Sequence, residues 1–503
     1  MNYLPTIGLE IHAELKTSSK MFCSCRNNPD EERPNTNVCP ICLGHPGTLP
    51  VLNHQAIKHV LKIGLAVDGT LADFTEWDRK NYFYPDIPKG YQISQYKYPL
   101  VSGGKLSGIA IERIHLEEDT AQSTHDLEIS GRENSRPSGK DISLINFNRS
   151  GVPLMELVTK PVIHDAATAV RFAKELQLLL RTLGAGEANL EKGEMRIEAN
   201  ISLASPADTG LGKFGTKTEV KNLTSFRSVE GATEHELSRQ AALLDRGEKV
   251  VQETRGWDDT RGETYSQRSK ENSHDYRYFP EPDIPKLKIS EIREFSPEVL
   301  RKEIPELPWV KRDRYQKVFA LTDKEVAVFV DSPVVSGYFE SIISGFENDL
   351  RRIKLTSNYL LTDYLGLLKK ENLSETSITR IVPADFAELI SLIASGEISS
   401  RGAKDLLGLL FKGSTSNSDS TTKSTLTDSV RDLAQKHDLL QKSDSGDLTP
   451  AIDKVISENP KAVAEYKAGK VASLQFLIGQ GMRATKGAGN PEIIRKILLE
   501  KLV

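Results

Sequence analysis

The chain has 503 residues, of which 38% are hydrophobic and 27% are charged, and its formal net charge is −4. This composition is typical of a soluble globular protein, and the length predicts about two to four domains. No run of about 18 apolar residues occurs, so the sequence predicts neither a membrane-spanning helix nor a membrane partner. The slight acidity excludes a basic field over the whole molecule, so any nucleic-acid-binding surface must be local.

The N-terminal segment alternates as a β-strand. Across residues 7–15, apolar side chains fall on one face, and Glu10, His12 and Glu14 fall on the other. The segment lacks the charged start and apolar core of a signal peptide and the Arg/Ser bias of a transit peptide. The sequence therefore predicts a protein of the reducing cytoplasm.

All four cysteines lie in one short window, as Cys23, Cys25, Cys39 and Cys42. Two close pairs of thiolates are what a tetrahedral structural zinc needs, and the small Gly44 lets backbone amides approach the sulfur atoms. Two disulfides, or unrelated buried thiols, are the alternative, which a cytoplasmic location disfavours. Four protein ligands leave no open coordination position, so the predicted zinc is structural. No cysteine would then remain as a nucleophile for glutamine hydrolysis.

Two blocks, residues 78–92 and 275–283, are dense in aromatic residues that alternate with charges. Aromatic rings beside Arg and Lys can stack on bases and hold phosphates. Rigid loops that proline anchors on a core have the same composition, and the residues alone favour neither interpretation.

Three further segments predict strands that carry charged residues. The polar residues concerned are the acids of 117–119, then Arg196, Glu198 and Asn200, and then Lys217, Glu219 and Lys221. Any one of these strands is explained by a solvated sheet face, but the same mixture on four strands weakens that explanation. Oxygen ligands with a histidine suit Mg²⁺, and basic residues nearby suit phosphate, so the pattern predicts phosphoryl transfer. No G-x-x-x-x-G-K-[ST] loop occurs, so ATP would need a less common cradle.

Helical periodicity predicts two helices, over residues 164–183 and about 232–246, inside a region otherwise rich in strands, which indicates an α+β domain. Two more are predicted to begin near Ser296-Pro297 and after Pro383. The Ser/Thr-rich segment 413–429 predicts a linker or flexible loop, followed by further helices. The predicted domains are 1–293, 294–408 and 409–503.

Seven long motifs follow one another in the order of a known family: IGLEIHAELKT, CPICLGHPGTLPVLN, DRKNYFYPDIPKGYQISQ, IHLEED, NRSGVPLMELV, FGTKTEVKNL and DYRYFPEPD. They resemble the B subunits of glutamyl-tRNA(Gln)/aspartyl-tRNA(Asn) amidotransferases, and the resemblance covers nearly the whole chain. It implies an N-terminal mixed-sheet cradle domain with a kinase and transamidase site, then a helical domain, and finally a small helical tail domain that contacts tRNA. It also implies a heterotrimer with an amidase (A) subunit, which frees ammonia from glutamine, and a small C subunit.

The resemblance implies a role for several residues by their position in the motifs. Glu10, His12 and Glu118 are the implied Mg²⁺ ligands; Glu198 and Glu219 line the site, Lys217 binds the nucleotide, and Lys80 lies on the ammonia path. The implied reaction phosphorylates the side chain of misacylated Glu-tRNA(Gln) or Asp-tRNA(Asn) with ATP, and ammonia then displaces the phosphate. ATP, Mg²⁺ and structural Zn²⁺ are thus the implied cofactors, and the acyl phosphate must be shielded from water.

The C-terminal segment from Lys461 onward holds eight Lys/Arg against three Glu, a net of five positive charges. A solvated helix face has the same composition, but the family implies a tRNA contact, with Lys470 and Lys486 as the candidate residues.

The chain departs from the family pattern at Gln122, Asn146, Lys160 and Val162, which removes charged contacts near the implied site and leaves the implied metal ligands intact. A non-catalytic tRNA-binding scaffold is therefore the alternative function. An archaeal-type subunit specific for Glu-tRNA, which usually carries an extra domain, is a second alternative. A zinc enzyme with an open coordination position is a third.

Overall fold

The computed structural model describes residues 3–124, 143–205, 208, 213–269, 276–413, 429–441, 445–485 and 489–502. Two predictions fall outside this part of the chain: the Ser/Thr-rich segment over residues 414–428, and Lys486. The chain forms two compact units, Met1–Pro308 and Trp309–Val503. The division into three domains stays a prediction.

The first unit is built on strands. They are β1 Leu4–Glu14, β2 Thr70–Leu71, β3 Phe74–Thr75, β4 Asp78–Asn81, β5 Tyr91–Ser94, β6 Val101–Ser102, β7 Lys105–Leu106, β8 Ile109–Glu118, β9 Gln122–Thr124, β10 Leu144–Asn146, β11 Pro153–Thr159, β12 Met195–Ala204, β13 Thr218–Leu223, β14 Glu253–Asp258, β15 Glu263–Ser269, β16 Phe279–Pro280 and β17 Leu287–Lys288. The main sheet has the order β15-β14-β13-β12-β1-β11-β8-β6-β2, with β7 beside β8. All its pairs are antiparallel except β13 with β14, which confirms the predicted mixed sheet. Three smaller sheets pair β9 with β10, β3 with β17, and β4 with both β5 and β16.

The first unit also contains helices, which cover parts of the main sheet. They are α1 His54–Ala66, α2 Ala166–Thr182, α3 Phe226–Asp245 and α4 Pro297–Glu303, with short 3₁₀ turns at Ile289–Glu291 and Arg293–Phe295. Within the main sheet, α1 contacts β8, β6 and β2, and α3 contacts β12, β13 and β15. On β1, the apolar side chains Ile7, Leu9 and Ile11 are at most 1% exposed, as their alternation predicts.

Of two helices predicted from local signals, the start of one is confirmed and the start of the other is wrong. Helix α2 begins after Asp165, whose carboxylate accepts a hydrogen bond from the Thr168 amide at 2.7 Å, so the predicted start is confirmed. Helix α3 begins at Phe226 rather than near Ala232. The hydroxyl oxygen of Ser225 caps its start by accepting a hydrogen bond from the Ser228 amide. Most of the residues that α3 buries are polar, among them Ser228, Thr233 and Glu236, so its buried face gives a weak apolar periodicity.

The second unit is helical. Its helices are α5 Pro308–Lys317, α6 Asp323–Asp331, α7 Pro333–Ile343, α8 Leu350–Asn358, α9 Leu365–Lys370, α10 Pro383–Ala394, α11 Ser400–Gly413, α12 Val430–Lys436, α13 Ser445–Glu458, α14 Pro460–Lys467, α15 Ala472–Ala484 and α16 Pro491–Leu502. A π-helix spans Tyr359–Tyr364, and a 3₁₀ helix spans Glu375–Arg380. Helix α10 confirms the helix predicted after Pro383. The last helices share an apolar core that includes Ile452, Leu477 and Leu498.

A search of the described residues for membrane spans finds no single helix that is long and apolar enough to cross a bilayer. One pair, α6 and α7, passes the same test of length and composition only together, and it bends by 112° between its two helices.

The partly buried acid Glu325, near the start of α6, generates a stability prediction. Glu325 accepts hydrogen bonds from Lys354 at 2.6 Å, the Thr322 amide at 2.8 Å and Ser357 at 2.8 Å. Burial alone would raise its pKa, but these partners lower the pKa to about 2 from the ordinary 4.5. Because the folded pKa is depressed, the stabilisation is fully present above pH 4.5 and is lost as the pH falls towards 2.

We expect Glu325→Gln to lower the free energy of opening α6 by about 1–2 kcal/mol at neutral pH, and the difference from wild type to shrink towards pH 2. Hydrogen exchange of the α6 amides measures both effects. Glu371→Gln, at an exposed acid of the same unit, is the control. A difference that grows on acidification would contradict the assigned pKa shift.

Candidate functional site

Strand pairing gathers polar side chains on one face of the main sheet. His12 of β1 lies opposite Glu156 of β11, and Glu156 lies opposite His115 of β8. On the other side of β1, Glu10 lies opposite Glu198 of β12. Residues directly opposite in antiparallel strands point to the same face, so the three central strands and β12 present one continuous polar surface.

The centre of this surface is a chain of imidazole and carboxylate groups. His12 Nε2 lies 3.4 Å from Glu156 Oε2 and 3.5 Å from Glu117 Oε1, and His115 Nε2 lies 3.3 Å from Glu156 Oε2. Burial disfavours the charged imidazole, but the hydrogen bond and charge of Glu156 raise the pKa of His12 to about 9. Burial likewise disfavours the Glu156 anion, yet His115 and His12 hold its pKa well below the usual range.

A second group of acids adjoins the first through Glu10. Oxygen atoms of Glu10, Glu198 and Glu219 lie within 4.8 Å of one another, and Lys221 Nζ lies 3.0 Å from Glu198 Oε1. Burial, and then the charges of Glu156 and Glu198, raise the pKa of Glu10. His12 and Lys221 act in the opposite direction and lower the pKa of Glu10.

These two groups fit a divalent cation. Atoms of Glu10, His12 and Glu156 also lie within 4.8 Å of one another, as do those of His115, Glu117 and Glu156. Among the described residues, the buried Glu117 Oε2 has no hydrogen-bond partner. Carboxylate oxygens suit Mg²⁺, and a cation would reduce the repulsion among these acids. His12 can join them as a ligand only after its imidazole loses its proton, which a bound cation favours.

The structure brings Glu10 and His12 together but places Glu118 elsewhere. Glu118 Oε1 accepts a hydrogen bond from the Ile93 amide at 2.9 Å and forms an ion pair with Lys89. Because side chains alternate along β8, Glu117 and Glu118 point to opposite faces, and Glu117 is the acid beside His12.

The four cysteines also meet, as predicted. Their sulfur atoms lie within 4.8 Å of one another, and all four thiols are free of disulfides. A hydrogen bond from the Cys23 thiol, helped by the nearby Lys20 ammonium, lowers the pKa of Cys42 to about 5 despite burial. This arrangement fits a metal ion held by four sulfur ligands.

The two aromatic blocks join in the small sheet of β5, β4 and β16. Tyr96 stacks on Tyr278 with ring centroids 4.3 Å apart, and Lys80 Nζ lies 5.1 Å from the Tyr276 ring centroid. Burial opposes the charge of Lys80, but Glu117 and other nearby groups raise its pKa well above the ordinary value. Lys80 therefore lies beside the acidic surface as a fixed cation.

The remaining predicted residues are more peripheral. Lys217 is exposed and directly precedes β13, and Lys470 Nζ pairs with Glu465 Oε2 at 3.0 Å in the last helices. Of the departures from the family pattern, Gln122 lies opposite Asn146 in the small sheet of β9 and β10, and Lys160 pairs with Glu112.

Sequence reasoning missed His115 and Glu156 as members of the surface, and it gave Glu117 no role of its own among the acids of 117–119. The signal for Glu156 is one acid inside the apolar run of β11, which is costly unless the acid has a partner. The signal for the other two is the alternation of β8, once that strand is taken to continue through Glu117.

Comparisons with known proteins match both parts of the chain. A family model described as the GatB/GatE catalytic domain matches residues 5–293, and one described as the GatB domain matches residues 337–502. The chain is 39% identical over 510 residues to the B subunit of the aspartyl/glutamyl-tRNA(Asn/Gln) amidotransferase of Persephonella marina, with 100% of each chain covered. It is 40% identical over 510 residues to the protein of that name from Moorella thermoacetica, again with 100% of each covered. For the protein of that name from Myxococcus xanthus, identity is 39% over 509 residues, covering 100% of this chain and 99% of the relative.

The cysteine cluster generates a test of its metal. We expect the purified full chain to hold about one zinc ion, and Cys25→Ser to lose it, because three sulfur ligands bind zinc more weakly than four. Metal analysis measures the zinc, and a thiol reagent, with and without a chelator, measures how far the ion protects the thiols. Ser24→Ala, at the exposed residue between two of the cysteines, should retain the zinc. Full thiol reactivity without chelator in wild type would count against the site.

Proposed function

Because the chain belongs to the family of aspartyl/glutamyl-tRNA(Asn/Gln) amidotransferase B subunits, which are parts of glutamine-dependent carbon–nitrogen ligases, we propose that it activates a misacylated tRNA with ATP. The substrate is Glu-tRNA(Gln) or Asp-tRNA(Asn). Its side-chain carboxylate attacks the γ-phosphate of ATP and displaces ADP, which gives an acyl phosphate. Ammonia then attacks the acyl carbon, loses a proton and displaces inorganic phosphate, which leaves the amide. The observation that carries this proposal is the surface of five acids and two histidines with Lys80 and Lys221 at its border.

The cation-binding part of this surface is assigned to two overlapping groups. Glu10, His12 and Glu156, with Glu117 beside them, hold one position, and Glu10 with Glu198 and Glu219 holds a second. Mg²⁺ bound there would neutralise the negative charge that spreads over the phosphoryl oxygens. In this assignment Glu117 takes the place that the family resemblance gave to Glu118.

The basic residues beside the acids orient the phosphates. Lys221 is held between Glu198 at 3.0 Å and Glu219 at 4.0 Å, and about a third of its side chain stays exposed, so a phosphate oxygen can reach its ammonium. Lys217 precedes the same strand and is exposed. Fixed cations at these points stabilise the negative charge of the transition state without rearrangement.

The Lys80 side of the surface suits the ammonia step. Neutral ammonia is the nucleophile, and the fixed charge of Lys80 disfavours the approach of an ammonium ion. Tyr82, Tyr276 and Tyr278 surround this lysine, which limits access of water to the acyl phosphate. These contacts support the predicted position of Lys80 on the ammonia path.

The source of ammonia is a partner. All four cysteines of the chain lie in the metal-type cluster, so no thiol remains for glutamine hydrolysis. We assign that step to an amidase (A) subunit, with a small C subunit completing a heterotrimer. The basic C-terminal helices bind the tRNA body, through Lys470 and Lys486.

The assignment of Glu117 is tested with paired variants. The chain with its amidase and C subunits is supplied with Glu-tRNA(Gln), ATP, Mg²⁺ and ammonium in place of glutamine. We expect Glu117→Gln to slow ADP release by about 100-fold, because a ligand is lost, and Glu118→Gln by about tenfold or less, because its amide oxygen still accepts from Ile93. The reverse order would return the ligand role to Glu118.

The same assay separates the enzyme from the scaffold alternative. Release of ADP with formation of Gln-tRNA, lost in His12→Ala, supports the proposal. Intact tRNA binding without ADP release, for Glu-tRNA(Gln) and Asp-tRNA(Asn) alike, would support a non-catalytic scaffold.

The tRNA contact of the tail is tested by salt dependence. We expect Lys470→Ala to weaken tRNA binding and to reduce the slope of log K against log salt by about one, the value for one lost phosphate contact. Lys454→Ala removes a lysine of the same region that is 71% exposed, and should leave the slope unchanged. Equal slopes for wild type and Lys470→Ala would mean that Lys470 touches no phosphate.

A further inference from the structure

The cysteine knuckle, residues 39–44, packs directly on Lys89, the ion-pair partner of Glu118. Its turn is closed by hydrogen bonds from the Leu43 amide to Cys39 at 3.1 Å and from the Gly44 amide to Ile41 at 3.0 Å. Gly44 has φ +68, and a Cβ atom there would lie 2.4 Å from Lys89 Cγ and 2.9 Å from Lys89 Cα. The knuckle therefore leaves Lys89 no room to move towards it.

Lys89 in turn fixes the end of strand β8. Its ammonium pairs with the Glu118 carboxylate, and both side chains are at most 10% exposed. The same carboxylate accepts from the Ile93 amide at 2.9 Å, and Gln92 Nε2 donates to the Glu118 carbonyl at 2.7 Å. These contacts hold the last residue of β8 against β5, one residue beyond Glu117.

A second path leads from the cysteines to the same place. Lys20 is 1% exposed, and its Nζ lies 3.8 Å from Cys42 Sγ and donates to the Ser150 carbonyl at 2.7 Å. The next residue, Gly151, has φ +85, and a Cβ atom there would lie 3.4 Å from Cys42 Cβ and 3.9 Å from Glu118 Oε2. The turn that precedes β11 is thus enclosed between the knuckle and Glu118.

We propose that the cysteine knuckle is a positioning element of the reaction site: Gly44 sets the place of Lys89, and Lys89 holds Glu118 so that the neighbouring Glu117 faces His12. Gly44, Lys20 and Lys89 are positioning residues, since they act through Glu118 rather than on the substrate. The inference rests on the proposed function for its consequence at the cation-binding acids. The contact of the knuckle with Lys89 stands on the geometry alone.

Two glycine variants of the full chain test the contact. Gly44 and Gly47 both have positive φ, at +68 and +82, but a Cβ at Gly47 meets no described atom within 4 Å. Alanine therefore strains the backbone alike at both positions, and only Gly44→Ala displaces Lys89. Each variant is first analysed for zinc and for secondary structure by circular dichroism.

Two measurements then follow Lys89 and the acids separately. Limited acylation with mass spectrometry reports the reactivity of Lys89, which we expect to rise several-fold in Gly44→Ala and to keep its wild-type value in Gly47→Ala. Titration with Mn²⁺, followed by electron paramagnetic resonance, should show about tenfold weaker binding in Gly44→Ala only. Equal behaviour of the two variants in both measurements would overturn the inference.

A third variant covers the case in which Gly44→Ala does not fold. Lys89→Met removes the ammonium from Glu118 and leaves the knuckle intact, so it should keep its zinc and still bind Mn²⁺ about tenfold more weakly. Wild-type affinity in Lys89→Met would overturn the inference. Absence of Mn²⁺ binding in wild type is a different result: it would contradict the proposed cation site, while Lys89 reactivity would still decide whether the knuckle positions Lys89.

Discussion

The crowding of carboxylates on one sheet face is the constraint to which the rest of the first unit responds. Glu10, Glu117, Glu156, Glu198 and Glu219 share this surface, and burial of each ionised acid is costly unless a positive group compensates it. His12, with a pKa of about 9, supplies one such charge, and Lys221 and Lys80 supply others from neighbouring strands. Burial, and then the charges of Glu156 and Glu198, still raise the pKa of Glu10, and a cation bound there would reduce the repulsion among the three acids.

Acids that repel one another remain together only if the backbone beneath them is rigid. The opposite face of β1 supplies part of that rigidity, since Ile7, Leu9 and Ile11 are almost fully buried in the core. The ladder of β1 with β12 extends over ten residue pairs, from Leu4 with Ala204 to Ala13 with Met195, and it fixes which acids meet. At the far end of β8, Lys89 pairs with Glu118 and is itself packed against the knuckle, which fixes the end of that strand. Electrostatic strain on one face is thus opposed by apolar burial on the other.

The features predicted correctly from the sequence are those that depend on residues close together in the chain. Strand β1, the start of α2 at Asp165 and the cysteine cluster depend on alternation, capping and short spacing, which are visible within a few residues. Periodicity places the start of α3 too late, because most of the residues that this helix buries are polar, among them Ser228, Thr233 and Glu236. The pairing of Glu156 with His12 and that of Lys89 with Glu118 join distant segments, and no local pattern of charge or hydropathy reveals which partner each side chain meets.

The position of Glu118 shows why motif resemblance locates a site better than it assigns atoms. The motif IHLEED places adjacent acids at the end of one strand, and a shift of one residue along a strand exchanges its two faces. The ladder of β8 with β11 decides the matter: His115 lies opposite Glu156, so Glu117, two residues on, shares the face of His12. Glu118 then points to the other face, where it pairs with Lys89 and accepts a hydrogen bond from the Ile93 amide. Two neighbouring acids of one motif thus have different surroundings: Glu117 faces the proposed cation-binding surface, and Glu118 pairs with Lys89, which lies against the knuckle.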